Sequence, residues 1–263
     1  MTISYDIKTL LPYINWVYYH FAWQVRQPEE QDRLRQEATR FLLTEASLFR
    51  ARGVFRLFDC HASGDDIVID GESGRPLPAP VRLPMLRQQT GDSPLCLADF
   101  INPHGDRIGI FATSTDEEMV STFRGDDYKA MMAQFLADRL AEAAAEKLHE
   151  EVRKHYWGYA PSESLTIAQL HLEQFQGIRP AVGYPALPDA SLNFLIDQLV
   201  DLSTVGIRLT ENGAMRPHAS VSGMMISHPS ARYFATGQIG SDQLADYARR
   251  RGLPLETIKK FVQ

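Results

Sequence analysis

Cysteine is rare in this sequence, which contains only Cys60 and Cys96 among 263 residues. Two thiols supply neither a disulfide framework nor a Cys/His zinc cluster, and we expect both to be reduced, as in the cytoplasm. Apolar runs are also short. None reaches the about 18 residues that a membrane-spanning helix needs, and residues 1–6 show no signal-peptide pattern. We therefore expect a cytoplasmic protein with no membrane partner.

Positive charge is scarce as well. The sequence has 27 Lys and Arg residues against 33 Asp and Glu residues, a net charge of −6, and no dense basic block. Nucleic-acid binding usually needs such a block, so we expect no nucleic acid among the partners. A glycine-rich phosphate loop, a serine nucleophile elbow and a metal-ligand spacing are missing too. The sequence therefore predicts neither a catalytic side chain nor a metal site.

Hydrophobic residues make up 44% of the chain, enough for a buried core. Their longest periodic run, one apolar residue in every four, predicts a helix over residues 126–155. Other predicted helices cover 28–51, 166–175, 190–202, 241–251 and 255–262, and residues 7–25 form a short helix or an extended arm. Predicted strands cover 54–58, 66–69, 95–100, 107–113, 207–210, 220–226 and 233–239, and the Pro-rich residues 74–84 form a loop. Because helices and strands mix without βαβ regularity, we expect an α+β fold with an antiparallel sheet.

Residues 177–185 combine one fixed cation with several stiff turn positions and an aromatic ring. Arg179 can hold a carboxylate with two parallel hydrogen bonds, and Pro180 and Pro185 restrict the backbone around it. Gly183 allows a close approach of the backbone to a ligand, and Tyr184 offers a ring face and a hydroxyl. The segment suits a binding loop for a small molecule with an acid at one end and a flat ring at the other. A rigid surface turn is the alternative.

Acidic residues recur on the long predicted helix. Asp138, Glu142 and Glu146 are four residues apart and share one face. From the residues alone, such a row is typical of a solvated acidic face with surface ion pairs. We expect Glu146 to belong to that solvated face, and Arg251, near the C-terminus, to lie on the surface.

Several stretches together resemble the activation domain of cobalamin-dependent methionine synthase, which binds S-adenosylmethionine. They occur in the family's order and near its spacing: residues 136–143, 156–161, 177–185, 220–223, 227–229 and 246–250. The resemblance implies a single activation domain over residues 1–263, with a bent antiparallel sheet and flanking helices. Residues 126–263 would form the S-adenosylmethionine-binding core, and residues 1–125 a more divergent N-terminal part.

The resemblance also implies site residues. Arg179 matches the arginine that holds the methionyl carboxylate, and Asp138 and Glu142 match positions that face the ligand and the docked corrinoid module. The remaining implied ligand-binding positions are Ala181, Gly183, Tyr184, Tyr233 and Phe234. Asn15 is a departure, because the family carries an Asp before the tryptophan that matches Trp16. An amide accepts a hydrogen bond but brings no charge, so we expect a cationic group to be held less firmly there.

One short pattern points elsewhere. Residues 59–64 fit the Asp-x-His-x-x-Gly pattern with which many corrinoid proteins supply a histidine to cobalt. In the corrinoid fold this pattern follows a parallel strand and opens a helix. Here it leads into residues 65–68, which are predicted to form a hairpin strand. We therefore interpret the pattern as a chance match.

The function implied by the resemblance is that of an accessory reactivation subunit, with S-adenosylmethionine as its cofactor. Cobalamin would enter only through a separate corrinoid-binding methionine synthase polypeptide, and a flavodoxin-like or ferredoxin-like donor would supply an electron. Cobalt would be the nucleophile, in keeping with the missing catalytic side chain. Two alternatives stay open. The chain could be a non-catalytic S-adenosylmethionine sensor, or the activator of a different corrinoid methyltransferase.

Overall fold

The structure is a computed structural model that describes residues 1–72, 74–116 and 118–262. An antiparallel sheet forms its centre, with strand order β4-β3-β2-β5-β8 and β1 paired to β2. The strands are β1 (Thr2–Tyr5), β2 (Ala51–Ser63), β3 (Asp66–Glu72), β4 (Arg75–Pro84), β5 (Asp106–Thr115), β6 (Arg208–Leu209), β7 (Met215–Arg216) and β8 (Ser220–Met225). Strands β6 and β7 form a separate small hairpin.

Helices lie on both faces of the sheet. They are α1 (Ile7–Leu10), α2 (Trp16–Ala22), α3 (Pro28–Thr44), α4 (Glu118–Thr122), α5 (Asp127–Glu151), α6 (Ile167–His171), α7 (Leu192–Val200), α8 (Ser241–Arg251) and α9 (Leu255–Phe261). The predicted α+β fold with an antiparallel sheet is confirmed. No helix in the described ranges combines the length and the apolar character needed to cross a bilayer.

Alternation along the central strands separates two cores. On β5, Phe111 packs in the core that contains α5, whereas its neighbours Ile110 and Ala112 pack in the core that contains α7. Successive strand residues point to opposite faces, so one strand serves both layers. Helix α5 begins after Asp126, whose side chain accepts a hydrogen bond from the Lys129 N–H, and a π-helical turn at Val152–Tyr156 extends it. This long helix forms one wall of the site described below.

The prediction of a loop over residues 74–84 is wrong, because this segment is strand β4. The strand tolerates Pro76, Pro78 and Pro80 because it lies at the edge of the sheet, where one side of the backbone needs no ladder partner. Proline weakens a strand prediction in the sequence, yet an edge strand is the one place where it is compatible with a sheet.

Two predicted strands are also wrong. Residues 95–100 instead contain a 3₁₀ turn, Leu97–Phe100, in which Asp99 accepts the Cys96 N–H at 2.9 Å and also pairs with Arg87. Residues 233–239 form no strand. Their backbone groups form isolated hydrogen bonds, such as the one that the Thr236 N–H donates to the Pro185 carbonyl at 2.9 Å.

The corrinoid-like pattern at residues 59–64 lies in an antiparallel hairpin, as predicted. Most of it belongs to β2, which pairs with β3, and His61 Nδ1 lies 2.7 Å from Asp70 Oδ2. The histidine is therefore a cross-strand partner of an aspartate and does not precede a helix.

Candidate functional site

The loop that carries Arg179 is held against the free edge of β8. The Ile178 N–H donates to the Ile226 carbonyl at 2.9 Å, and the return bond is 3.0 Å. Further along, the Met224 N–H donates to the Pro180 carbonyl at 3.1 Å, and Val182 donates to Ser222 at 2.9 Å. Backbone hydrogen bonds thus fasten the loop along β8, and several residues of the loop line a cavity.

Gly223 makes this close approach of the loop to β8 sterically feasible. A Cβ atom at this position would lie 2.2 Å from the Pro180 carbonyl oxygen and 2.9 Å from the Ala181 Cα, and both are backbone atoms. We expect Gly223→Ala to push the loop away and to lower the free energy of unfolding by about 1–3 kcal/mol or more. Urea unfolding measures this loss.

Gly109→Ala is the matched control on the neighbouring strand β5. Its Cβ would meet the side chain of Met225, at 3.1 Å for the nearest atom, and no backbone atom is among its nearest neighbours. The contact at 3.1 Å is relieved by a shift of a few tenths of an ångström, whereas the contact at 2.2 Å in Gly223→Ala requires the backbone of the loop to move. Equal losses in the two variants would contradict the steric role of Gly223.

A cavity of about 620 Å³ lies between α5, the Arg179 loop and the segment around Tyr233. Of the predicted site residues, it brings together Asn15, Glu142, Arg179, Ala181, Tyr184, Tyr233 and Phe234. The other lining residues are Tyr13, Tyr18, Arg139, Glu146, Leu170, His171, Glu173, Pro180, Pro185, Ala186 and Ala235. Groups that are far apart in the sequence therefore converge on one concave site.

Asp138 and Gly183 do not line this cavity. Asp138 lies one turn of α5 before Glu142, its Oδ1 is 3.6 Å from His218 Nδ1, and burial raises its pKa. Gly183 has a φ of +87°, which favours glycine, and donates its N–H to the Leu187 carbonyl at 2.8 Å. It therefore shapes the turn beside the cavity, and its predicted ligand contact stays a prediction, as does that of Asp138.

Arg179 is fixed at both ends. Its backbone N–H donates to the Tyr233 hydroxyl at 2.8 Å, and its Nη2 donates to Glu146 Oε2 at 3.1 Å. Burial disfavours the charge of the guanidinium, but Glu146, Tyr233 and Glu142 outweigh this effect and raise its pKa. Burial also raises the pKa of Tyr233 to about 12, so its hydroxyl stays neutral. The site thus presents a permanent cation with a set orientation.

The expectation that Glu146 belongs to a solvated face is wrong. Its side chain is only 13% exposed and pairs with Arg179, whose side chain is 11% exposed. In the sequence, Glu146 is one of three equally spaced acids. Its contact with Arg179 joins residues 33 positions apart, so the neighbouring sequence does not predict it. Glu173 is a second carboxylate that the sequence did not reveal. Its φ is +56°, and burial together with the charge of Glu146 raises its pKa.

Aromatic groups surround the charged centre. Tyr184 is half-exposed, and its hydroxyl donates to Glu142 Oε1 across the cavity. The Arg139 guanidinium lies 5.7 Å from the centre of the Tyr18 ring, which also lines the cavity. Rings of this kind offer faces for a flat heterocycle, and the carboxylates offer contacts for a cation.

Asn15 has a local structural role. Its Oδ1 accepts the Val17 N–H at 3.2 Å and so caps the start of α2. Asn and Asp are about equally good at this position of a helix. An Asp at this position, which the resemblance implies for the family, would form the same cap and would add one negative charge to the cavity wall.

Comparisons with known proteins agree with this geometry. A family model described as "Vitamin B12 dependent methionine synthase, activation domain" matches residues 6–252. A crystal structure described as the MetH reactivation domain bound to AdoHcy superposes with a TM-score of 0.91 at 38% sequence identity. The match covers 99% of this chain and 88% of that chain.

Proposed function

The chain belongs to the family of vitamin B12-dependent methionine synthase activation domains, and from this membership we propose that its cavity binds S-adenosylmethionine. We propose further that it supports the reductive methylation of cob(II)alamin on a separate corrinoid-bearing methionine synthase polypeptide, in the cytoplasm. The observation that carries the proposal is the convergence of a buried guanidinium, carboxylates and aromatic rings in one cavity.

The residues of the cavity fit the proposed ligand. Its volume of about 620 Å³ lies within the range of about 300–1,000 Å³ of small-molecule sites. Arg179 suits the carboxylate of the methionyl group, and Glu142, Glu146 and Glu173 suit its ammonium and the sulfonium. Tyr18, Tyr184 and Phe234 offer apolar contacts for the adenosyl group. The neighbouring structure, whose description names AdoHcy, supports an adenosyl ligand.

The role of this chain would be to position the ligand. Arg179 would anchor one end, the carboxylates would hold the cationic groups, and the S-methyl would be presented toward a docked partner at near-attack distance. A flavodoxin-like or ferredoxin-like donor would give one electron to the partner's cob(II)alamin. The reduced cobalt would be the nucleophile that takes the methyl group, the S–CH3 bond would break, and S-adenosylhomocysteine would leave. No nucleophilic side chain of this chain is required.

The first test is calorimetry with S-adenosylmethionine, together with a thermal-shift measurement. We expect a saturable heat and a rise in the melting temperature, because a ligand that binds only the folded state stabilises it. If neither is seen at millimolar ligand, the proposal is refuted.

A second test separates methyl transfer from ligand sensing. A corrinoid-bearing methionine synthase polypeptide in the cob(II) state is mixed with reductant, S-adenosylmethionine and this chain. We expect the absorption spectrum of methylcobalamin to appear only in the complete mixture. Ligand binding without methylcobalamin would favour a sensor, and methylation of another corrinoid protein alone would favour an activator of a different methyltransferase.

A further inference from the structure

Two buried arginine–glutamate pairs lie near the end of α5, and they differ in completeness. Arg153 uses Nε and Nη2 together, with distances of 2.7 to 3.2 Å to the two Glu163 oxygens. Arg179 makes one hydrogen bond to Glu146, from Nη2 to Oε2. Its Nε and the Glu146 Oε1 are both buried and have no partner in the described part of the chain. The pair beside the cavity is therefore only half-formed.

Because this pair is half-formed, the Arg179 guanidinium has donors left to bind a second carboxylate in addition to Glu146. A guanidinium presents one edge with Nε and Nη2 and a second edge with Nη1 and Nη2. Glu146 accepts one hydrogen of Nη2, the nitrogen that both edges share, and leaves Nε without a partner among the described residues. The second edge is the one with which Arg179 can grip an incoming carboxylate by two parallel bonds. Glu146 thus limits how the guanidinium turns, and its single bond leaves Nη1 and the second hydrogen of Nη2 for a ligand.

The charge balance of the cavity determines which carboxylates are acceptable. Glu142, Glu146 and Glu173 line it, against Arg139 and Arg179. His149, on the same helix as Glu146, adds no cation, because burial and the charges of Arg153 and Arg179 hold its pKa well below the usual value. A bare carboxylate would add a further negative charge to a site that already has an excess, whereas a zwitterion brings its own ammonium. Like charges at short range disfavour each other's ionised forms.

We propose that Glu146 is a positioning residue that makes the Arg179 anchor select a zwitterionic amino-acid end over a bare carboxylate. Glu146 orients the guanidinium through Nη2 and cancels much of its charge, so that binding of a carboxylate becomes favourable only when a cation enters with it. This inference rests on the proposed function, because it assumes that an adenosyl amino acid enters this cavity.

The test compares two ligands by calorimetry: S-adenosylhomocysteine and its deaminated analogue, which keeps the adenosyl group, thioether and carboxylate. We expect the wild-type protein to prefer the zwitterion, and Glu146→Gln to lower that preference about tenfold, since one charged contact corresponds to about that ratio. Glu151→Gln is the matched control, because Glu151 also lies on α5 and does not line the cavity. It should leave the preference unchanged.

The calorimetric results distinguish failure of this inference from failure of the proposed function. If Glu146→Gln weakens both ligands equally, the residue merely supports the structure and the inference is overturned. If the wild-type protein binds neither ligand, the proposed function itself fails. Should Glu146→Gln not unfold cooperatively, Glu146→Asp replaces it. That variant keeps the charge, so the preference should stay within about threefold of wild type while both affinities fall, and a tenfold drop in preference would overturn the inference.

Discussion

Arg179→Ala is expected to weaken S-adenosylmethionine binding by at least about 30-fold. Removing one partner of a buried, hydrogen-bonded charge pair costs about 2–5 kcal/mol, and about 1.4 kcal/mol corresponds to a factor of ten. The substitution removes the paired bonds available to the ligand carboxylate and also leaves the Glu146 carboxylate buried without its cation. Titration calorimetry measures the affinity, and a melting curve checks that the variant folds.

Arg249→Ala is the appropriate control for this experiment. Arg249 lies on α8, its side chain is 75% exposed, and its partner is the nearby Asp246. Its replacement should leave the affinity unchanged. An affinity for Arg179→Ala equal to that of this control would contradict the anchor role.

Arg251 would be the wrong control, because the expectation that it lies on the surface is incorrect. Its side chain is only 5% exposed and pairs with the buried Asp189, which also accepts the Tyr247 hydroxyl at 2.7 Å. Three charged or polar groups from α8 and a distant loop thus meet inside the protein. The row of arginines at the end of α8 is typical of a solvated helix terminus, and nothing in it distinguishes Arg250 and Arg251, which both pair with buried aspartates, from the exposed Arg249.

Periodicity predicted the framework of the fold well. The four-residue repeat locates α5, and the short β-rich runs locate β2, β3, β5 and β8, because each of these elements is specified by its own buried face. The errors fall where local signals conflict with tertiary context. Prolines argue against a strand in the segment that forms the edge strand β4. The segment around Tyr233 has a strand-like composition, but its backbone groups form isolated hydrogen bonds and do not pair with a neighbouring strand.

The candidate site was only partly predictable from the residues. The loop at residues 177–185 has an unusual composition that signals a special backbone, and the resemblance to the family adds Asn15, Glu142, Tyr233 and Phe234 to the same cavity. Glu146 and Glu173 could not be found in this way. Glu146 matters because it pairs with Arg179, which is distant in the sequence, and nothing in the sequence predicts the left-handed backbone of Glu173.

Glu163→Gln is expected to cause the largest loss of stability among these variants. The Arg153 side chain is fully buried, and Glu163, only 8% exposed, is its ion-pair partner. Replacing the carboxylate with an amide leaves a buried guanidinium without a counter-charge, which costs about 3–5 kcal/mol in the free energy of unfolding. Urea unfolding followed by circular dichroism measures the change.

The same substitution at Glu256 serves as its control. Glu256 pairs with Lys259 on the surface of α9, where both side chains are largely exposed, and such replacements usually change stability by less than about 0.5 kcal/mol. A similar small change for Glu163→Gln would contradict the predicted loss and would mean that other groups compensate the charge of Arg153.

The Glu163→Gln substitution should also disturb the cavity. The Arg153 guanidinium stacks 4.2 Å from the centre of the Phe175 ring, and Phe175 lies four residues before Arg179. We therefore expect Glu163→Gln to weaken S-adenosylmethionine binding as well, at temperatures where the variant is still folded.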